Sequence, residues 1–126
     1  SVQMCIRDST WTDLNLGPQP ANPALLGDAV LARKDIRTSY HLAVVVDDAA
    51  QHISVVTRGD DLFASTHLHR LLQALLNLPA PLYRHHRLIR DDLGRRLAKR
   101  DGARSLQSLR QNGLSPADIR QLLELP

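Results

Sequence analysis

The stretch SYHLAVVVDDAAQHISVVTRGDDLFASTHLHRLLQALL, residues 39–76, decides how this chain is read. At its centre ISVVT, from Ile53 to Thr57, is a short β-branched run that stops at Arg58-Gly59 and reads as a strand. To its right the period changes. Leu68, Leu71, Leu72, Leu75 and Leu76 recur at helical spacing, Ser65 or Thr66 stands ready to cap, and Pro79 and Pro81 end the helix. To its left HLAVVVDD, from His41 to Asp48, is unbroken and apolar, which fits a strand buried on both faces.

Working outward, DAVLAR (Asp28 to Arg33) is a further short strand candidate. Residues 10–27 carry Gly17, Pro18, Pro20 and Pro23 without a period, which reads as an irregular connector. Downstream, Leu82 to Ile89 is expected as a strand, and Asp91-Asp92-Leu93-Gly94 as a turn into a basic loop. One helix carrying Leu106 and Leu109 ends near Gly113. A second opens at Ser115-Pro116-Ala117-Asp118, with an N-cap, a proline at the first helical position and an acid in the first turn. Strands, a helix, a strand and then short helices predict an α/β domain with a small helical tail. Ser1 to Ser9 has no periodicity and joins abruptly to a segment of different character. It reads as a sequencing artefact, with natural sequence expected from near Trp11.

At 126 residues the chain suffices for one compact domain. Aromatics supply only 3% of it, so Leu, Val, Ile and Ala must build most of the core. No apolar run approaches the roughly 18 residues of a membrane span, and no signal peptide is legible. The single Cys5 excludes an internal disulfide and a multi-cysteine zinc site, which makes a reducing, cytoplasmic setting the expectation. The net charge of +3 is unevenly spread. Arg84, Arg87, Arg90, Arg95, Arg96, Lys99, Arg100, Arg104 and Arg110 fall in one segment, opposed there by Asp91, Asp92 and Asp101. Such a cluster suits a polyanion, nucleotide or RNA, unless it is only a solvated basic face.

Three places carry candidate chemistry. Tyr40, read as standing at the edge of a buried strand, can project its hydroxyl into a crevice; a packed, hydrogen-bonded tyrosine is the plainer alternative. Arg58, just past a strand and followed by glycine, can meet a carboxylate in bidentate geometry, whereas Asp60 and Asp61 fit a helix start better than a catalytic pair. Gly94 to Gly102 is a glycine-flanked loop with four cations, Arg95, Arg96, Lys99 and Arg100, suited to clamping phosphate charge. The histidines promise less. His67 and His69 are two apart on a helix, and His85 and His86 face opposite ways on a strand, so no metal site is expected.

Taken in order, GDAVLARKD, TSYHLAVVVDDA, VTRGDDLFASTHLHRLLQALL, LPAPLY and RRLAKRDGARSL resemble the second half of the class I glutamyl-tRNA synthetase catalytic core. The resemblance runs from Trp11 to Pro126 and is closer to the shortened glutamyl-Q tRNA(Asp) branch, whose ending SLQSLRQNGLSPADIRQLL resembles. It implies the C-terminal half of a Rossmann-like core over residues 28–102, closing on a KMSKS-type loop, then a helical segment over residues 103–126. It further implies that Tyr40 and Arg58 contact glutamate, that Lys99 is the catalytic loop lysine, and that Lys99, Arg96, Arg100 and Leu62 serve ATP. The implied substrates are ATP with magnesium, glutamate and tRNA(Asp): glutamyl-adenylate forms first, and its glutamyl group passes to the queuosine of that tRNA. A monomer at full length is implied as well.

Ala98 replaces the usual loop serine, Arg96 stands where lysine is frequent, and His52 replaces a glycine frequent in the turn after the VVVDD run. The His-Ile-Gly-His-type signature and the zinc-binding cysteines of the family belong upstream and are not in this chain, so it is expected to be inactive alone. An ordinary glutamyl-tRNA synthetase fragment and a non-catalytic basic RNA-binding module are the competing readings.

Overall fold

The computed structural model describes residues 9–35, 37–91, 93–97 and 105–125. They fall into two compact units that adjoin in sequence at Arg87 and Leu88.

The first unit is built on a four-stranded sheet ordered β2-β1-β4-β3, with β1 at Thr10–Asp13, β2 at Gly17–Pro20, β3 at Val55–Gly59 and β4 at Leu82–His86. β1 and β2 form an antiparallel hairpin, while β4 runs parallel to both β1 and β3. Parallel neighbours need a crossover, which β3 and β4 obtain from helix α2, Ser65–Leu75. The segment read as an irregular connector is therefore a hairpin followed by a 3-10 turn, Pro23–Leu26. Pro18 and Pro20 hid it. Proline is tolerated on an edge strand, where no further neighbour requires its missing N–H, and β2 is such an edge.

The largest correction concerns residues 40–50. HLAVVVDD is not a strand: Tyr40–Ala50 is helix α1, capped by Ser39, whose side chain accepts from the Leu42 N–H. Only Val45 in it is fully buried and Val46 is exposed. Burial on one side is what a helix delivers, and the β-branched run is overridden by the cap and by packing. Val45 packs with Leu68 and Leu72 of α2, with Leu26, Ala29, Leu31 and Leu78 around them. Residues 28–33 join no strand; their part is to bring Ala29 and Leu31 to this cluster and to accept the Ser39 N–H at Leu31 O, 2.8 Å. Tyr40 thus sits at a helix start, not at a strand edge.

Smaller shifts have local causes. β3 begins at Val55, two residues later than expected, after a turn in which His52 takes φ of 54°. This is the left-handed conformation for which glycine is the easier residue. Neither Ser65 nor Thr66 caps α2. Its N-cap is Ala64, and a 3-10 turn, Asp60–Leu62, leads into it with both acids in its first turn. β4 stops at His86, and as expected for adjacent strand residues His85 is buried and His86 exposed.

In the second unit Arg90 and Arg96 form an antiparallel bridge, and Asp91 ties the turn between them. Its carboxylate accepts from the Leu93 and Arg95 N–H groups and pairs with the Arg95 guanidinium at 2.8 Å. The two short helices are α3, Leu106–Gln111, and α4, Pro116–Leu122. α4 opens with the expected Ser115 cap, here a full capping box with Asp118. Among the described residues no helix is long and apolar enough to cross a membrane.

Because Leu72 is 4% exposed and Leu75 is 52% exposed on the same helix, the two leucines make a paired test of this packing. Leu72→Ala is expected to cost about 2–5 kcal/mol in urea unfolding, and Leu75→Ala no more than about 0.5 kcal/mol. Equal losses at both positions would contradict the burial assignment.

Candidate functional site

Three elements turn polar side chains toward one another inside the first unit. β1 points Trp11 and Asp13 inward, β4 points Tyr83 and His85 inward, and β3 adds Arg58; each is less than a tenth exposed. Period-two alternation explains why Trp11 accompanies Asp13 and Tyr83 accompanies His85. Opposite them, α2 presents Thr66, His69 and Gln73, spaced i, i+3 and i+7, and all three are buried. The amphipathic helix therefore has two buried stripes. Leu68 and Leu72 go to the aliphatic cluster, and the polar stripe faces the sheet.

Arg58 is the centre of this polar cluster. Its Nε donates to His85 Nε2 at 3.1 Å, its Nη1 contacts His69 Nδ1 at 3.0 Å, and its Nη2 donates to Thr66 Oγ1. The guanidinium carbon lies 5.0 Å from the centre of the Tyr83 ring, a cation–π contact. An arginine N–H only donates, so both facing imidazole nitrogens must offer lone pairs. His85 accordingly carries its proton on Nδ1, 2.6 Å from Asp13 Oδ2. His69 carries its proton on Nε2, 3.0 Å from His41 Nδ1. The guanidinium is thus held by neutral acceptors, with the Asp13 carboxylate one imidazole away.

The surrounding groups are tuned to match. Burial by itself would raise the Asp13 carboxyl, but hydrogen bonds from His85 and from the N–H groups of Asn15 and Leu16 outweigh it and hold the group below its usual range. Burial first, then the charge of Arg58, pushes His69 down to about 3. His67 is lowered by burial; its Nδ1 instead receives the Trp11 indole N–H at 3.3 Å and the Asn22 N–H at 3.1 Å. Trp11 in turn meets Phe63, Tyr83 and His85 edge-on, with centroids 5.0–5.8 Å apart. These contacts pack Trp11 behind Tyr83 and His85, the two β4 side chains that meet Arg58.

Of the residues singled out from sequence, Tyr40 and Arg58 come together around one imidazole. Arg58 bonds His69, and the Tyr40 ring lies edge-on to it at 6.0 Å. Tyr40 is 53% exposed, which removes the packed-tyrosine alternative, and with His41 it lines a groove of about 360 Å³. Leu62 stands in the 3-10 turn, its carbonyl 3.4 Å from Thr66 Oγ1. Arg96 belongs to the second unit, while Lys99 and Arg100 lie outside the described residues. Sequence reasoning missed Asp13, His69 and His85. The inward alternation of β1 and β4 and the polar stripe of α2 were the available signals. Among the described residues no group of three or more His, Cys, Asp or Glu is placed to hold a metal ion.

The model of the class I tRNA synthetase (E and Q) catalytic domain matches residues 1–125. A glutamyl-Q tRNA(Asp) synthetase of Rhodobacter capsulatus is 62% identical over 100 residues, which are 79% of this chain and 36% of the relative. A glutamate–tRNA ligase of a Synechococcus species is 40% identical over 125 residues, 94% of this chain and 26% of the relative. A solved glutamate tRNA ligase from Elizabethkingia meningosepticum, in complex with its amino acid, superposes with a TM-score of 0.62 at 34% identity, covering 75% of this chain and 19% of that one. The chain spans about a third of the length of the glutamyl-Q relatives it matches. With the sheet, the crossover helix and the buried arginine site in place, these matches lead to one conclusion: the chain belongs to the class I tRNA synthetase family, in the catalytic domain shared by its glutamate and glutamine members.

Proposed function

We propose that this chain is the C-terminal part of the catalytic core of an ATP-dependent glutamyl ligase of the glutamyl-Q type. Arg58 carries the reading. It is a buried cation whose hydrogen-bonded partners are all neutral, close to the exposed Tyr40 at the rim of a groove. Such a cation retains its charge for an external carboxylate, and the amino acid glutamate supplies one. Tyr40 would add a hydroxyl contact to the same substrate.

In this reading a glutamate carboxylate oxygen attacks the α-phosphorus of ATP and pyrophosphate leaves, giving glutamyl-adenylate. A hydroxyl of the queuosine base of tRNA(Asp) then attacks the acyl carbon, and AMP departs with the anhydride oxygen. Magnesium, bound with ATP, would shield phosphate charge. Lys99, with Arg96 and Arg100, would follow the charge that develops on the phosphates, and Leu62 would lie along the nucleotide. The chain's part is positioning and charge stabilisation; the signature residues of the other half of the crevice are assigned to sequence upstream, as is the family's zinc site. A monomeric, cytoplasmic protein completes the reading. The span of similarity to the Synechococcus glutamate–tRNA ligase supports a second reading, transfer to the 3′ end of tRNA(Glu).

Two experiments on the full-length protein test these assignments. In ATP–pyrophosphate exchange, Arg58→Lys is expected to raise KM for glutamate at least about tenfold, since the charge survives but the fork does not. Lys99→Ala is expected to lower kcat about a hundredfold with glutamate KM little changed. An unaltered glutamate KM in the arginine variant would remove its proposed role. Charging of queuosine-containing tRNA(Asp) against tRNA(Glu) separates the two acceptors: labelled glutamate on tRNA(Glu) alone would replace the glutamyl-Q reading with the second.

A further inference from the structure

One buried side chain touches both proposed glutamate contacts while belonging to neither. His69 is 1% exposed. Its Nδ1 faces Nη1 of Arg58 at 3.0 Å, its Nε2 faces Nδ1 of His41 at 3.0 Å, and its ring stands edge-on to Tyr40. His41 is the residue after Tyr40 in the first turn of α1, so the hydrogen bond from His69 anchors the turn that carries Tyr40.

We propose that His69 is a positioning residue for glutamate, a single imidazole that fixes the guanidinium of Arg58 on one side and the Tyr40 turn of α1 on the other. The inference rests on the assignment of Arg58 and Tyr40 as glutamate contacts. Three of the five guanidinium N–H groups have acceptors in the cluster, on His85, His69 and Thr66, and the Tyr83 ring covers one face. Turning the guanidinium would break these bonds together, so its remaining N–H groups keep one direction. Without His69, Nη1 loses its acceptor and the guanidinium is no longer held on that side. The second link is directional too. His69 can accept from Arg58 only in the Nε2–H tautomer, and the lone pair on His41 Nδ1 selects that tautomer.

The role is geometric. Burial and the neighbouring positive charge keep His69 neutral near pH 7, so it neither gives nor takes a proton there. Nor does it join a metal-holding group among the described residues.

The test is ATP–pyrophosphate exchange by the full-length protein, with KM for glutamate, KM for ATP and kcat measured separately for wild type, Arg58→Lys, His69→Leu and His69→Gln. Glutamine offers an acceptor and a donor spaced much like the two ring nitrogens. His69→Leu is expected to raise KM for glutamate about tenfold, the effect of losing one charge-assisted hydrogen bond. KM for ATP and kcat should stay within about twofold, and His69→Gln should restore most of the glutamate affinity. A purely structural role would lower the amount of active enzyme and leave KM alone. Should His69→Leu not fold, His41→Leu at the half-buried outer position replaces it, with a rise in glutamate KM of about threefold expected. A folded His69→Leu, or His41→Leu in its place, with wild-type glutamate KM overturns the inference while Arg58→Lys still shows its effect. If Arg58→Lys has no effect on glutamate KM, the functional reading itself fails, and this inference with it.

Discussion

A guanidinium taken out of water must be given acceptors, because an unpartnered buried charge destabilises whatever encloses it. Arg58 imposes that demand on the first unit, and most of the unit answers it. β4 lies beside β3 in a register that pairs Arg58 with His85, α2 turns Thr66 and His69 toward the same point, and β1 brings Asp13 behind His85. Asp13 pairs across the sheet with Tyr83, the residue that covers the guanidinium face. A register slip of one residue in β1 or β4 would turn these side chains to the other face of the sheet.

The choice of neutral acceptors separates a structural arginine from a receptive one. Had Asp13 bonded Arg58 directly, the two charges would have satisfied each other and left little for a ligand. An interposed imidazole passes on the influence of the carboxylate while keeping the ions apart. It also costs less than a second buried carboxylate, since His85 and His69 offer Arg58 a ring lone pair each while their outer partners receive the other ring N–H. Low local dielectric makes such networks demanding: every member needs its partner, and the whole is stiff when all have one. Stiffness of this kind is what the glutamate-contacting role proposed for Arg58 requires.

α2 reconciles the polar site with a stable fold. Its aliphatic stripe packs on Val45 of α1, and its polar stripe lines the site, so one helix serves as both core and wall. The aromatic contacts of Trp11 with Phe63, Tyr83 and His85 supply apolar bulk beside the charge, in a chain with few aromatics to spend.

Local spacing and capping were enough to read the α/β character, the helix with its leucine period, strands at the places of β3 and β4, and the capped terminal helix. Neighbouring residues carry such signals in full. The sequence by itself also marked Tyr40 and Arg58, although their roles came from resemblance and not from pattern. Whether Tyr40–Ala50 was strand or helix depended on which side of the apolar run found a partner, and only the packing of Val45 on Leu68 and Leu72 decided that. The β1–β2 hairpin was hidden because prolines forbid an interior strand but permit an edge one, and edge position is a property of the assembled sheet. The acceptors of Arg58 were likewise decided by tertiary structure: Asp13, His69 and His85 are distant in sequence, and their meeting follows from sheet order and helix placement, which no local period encodes.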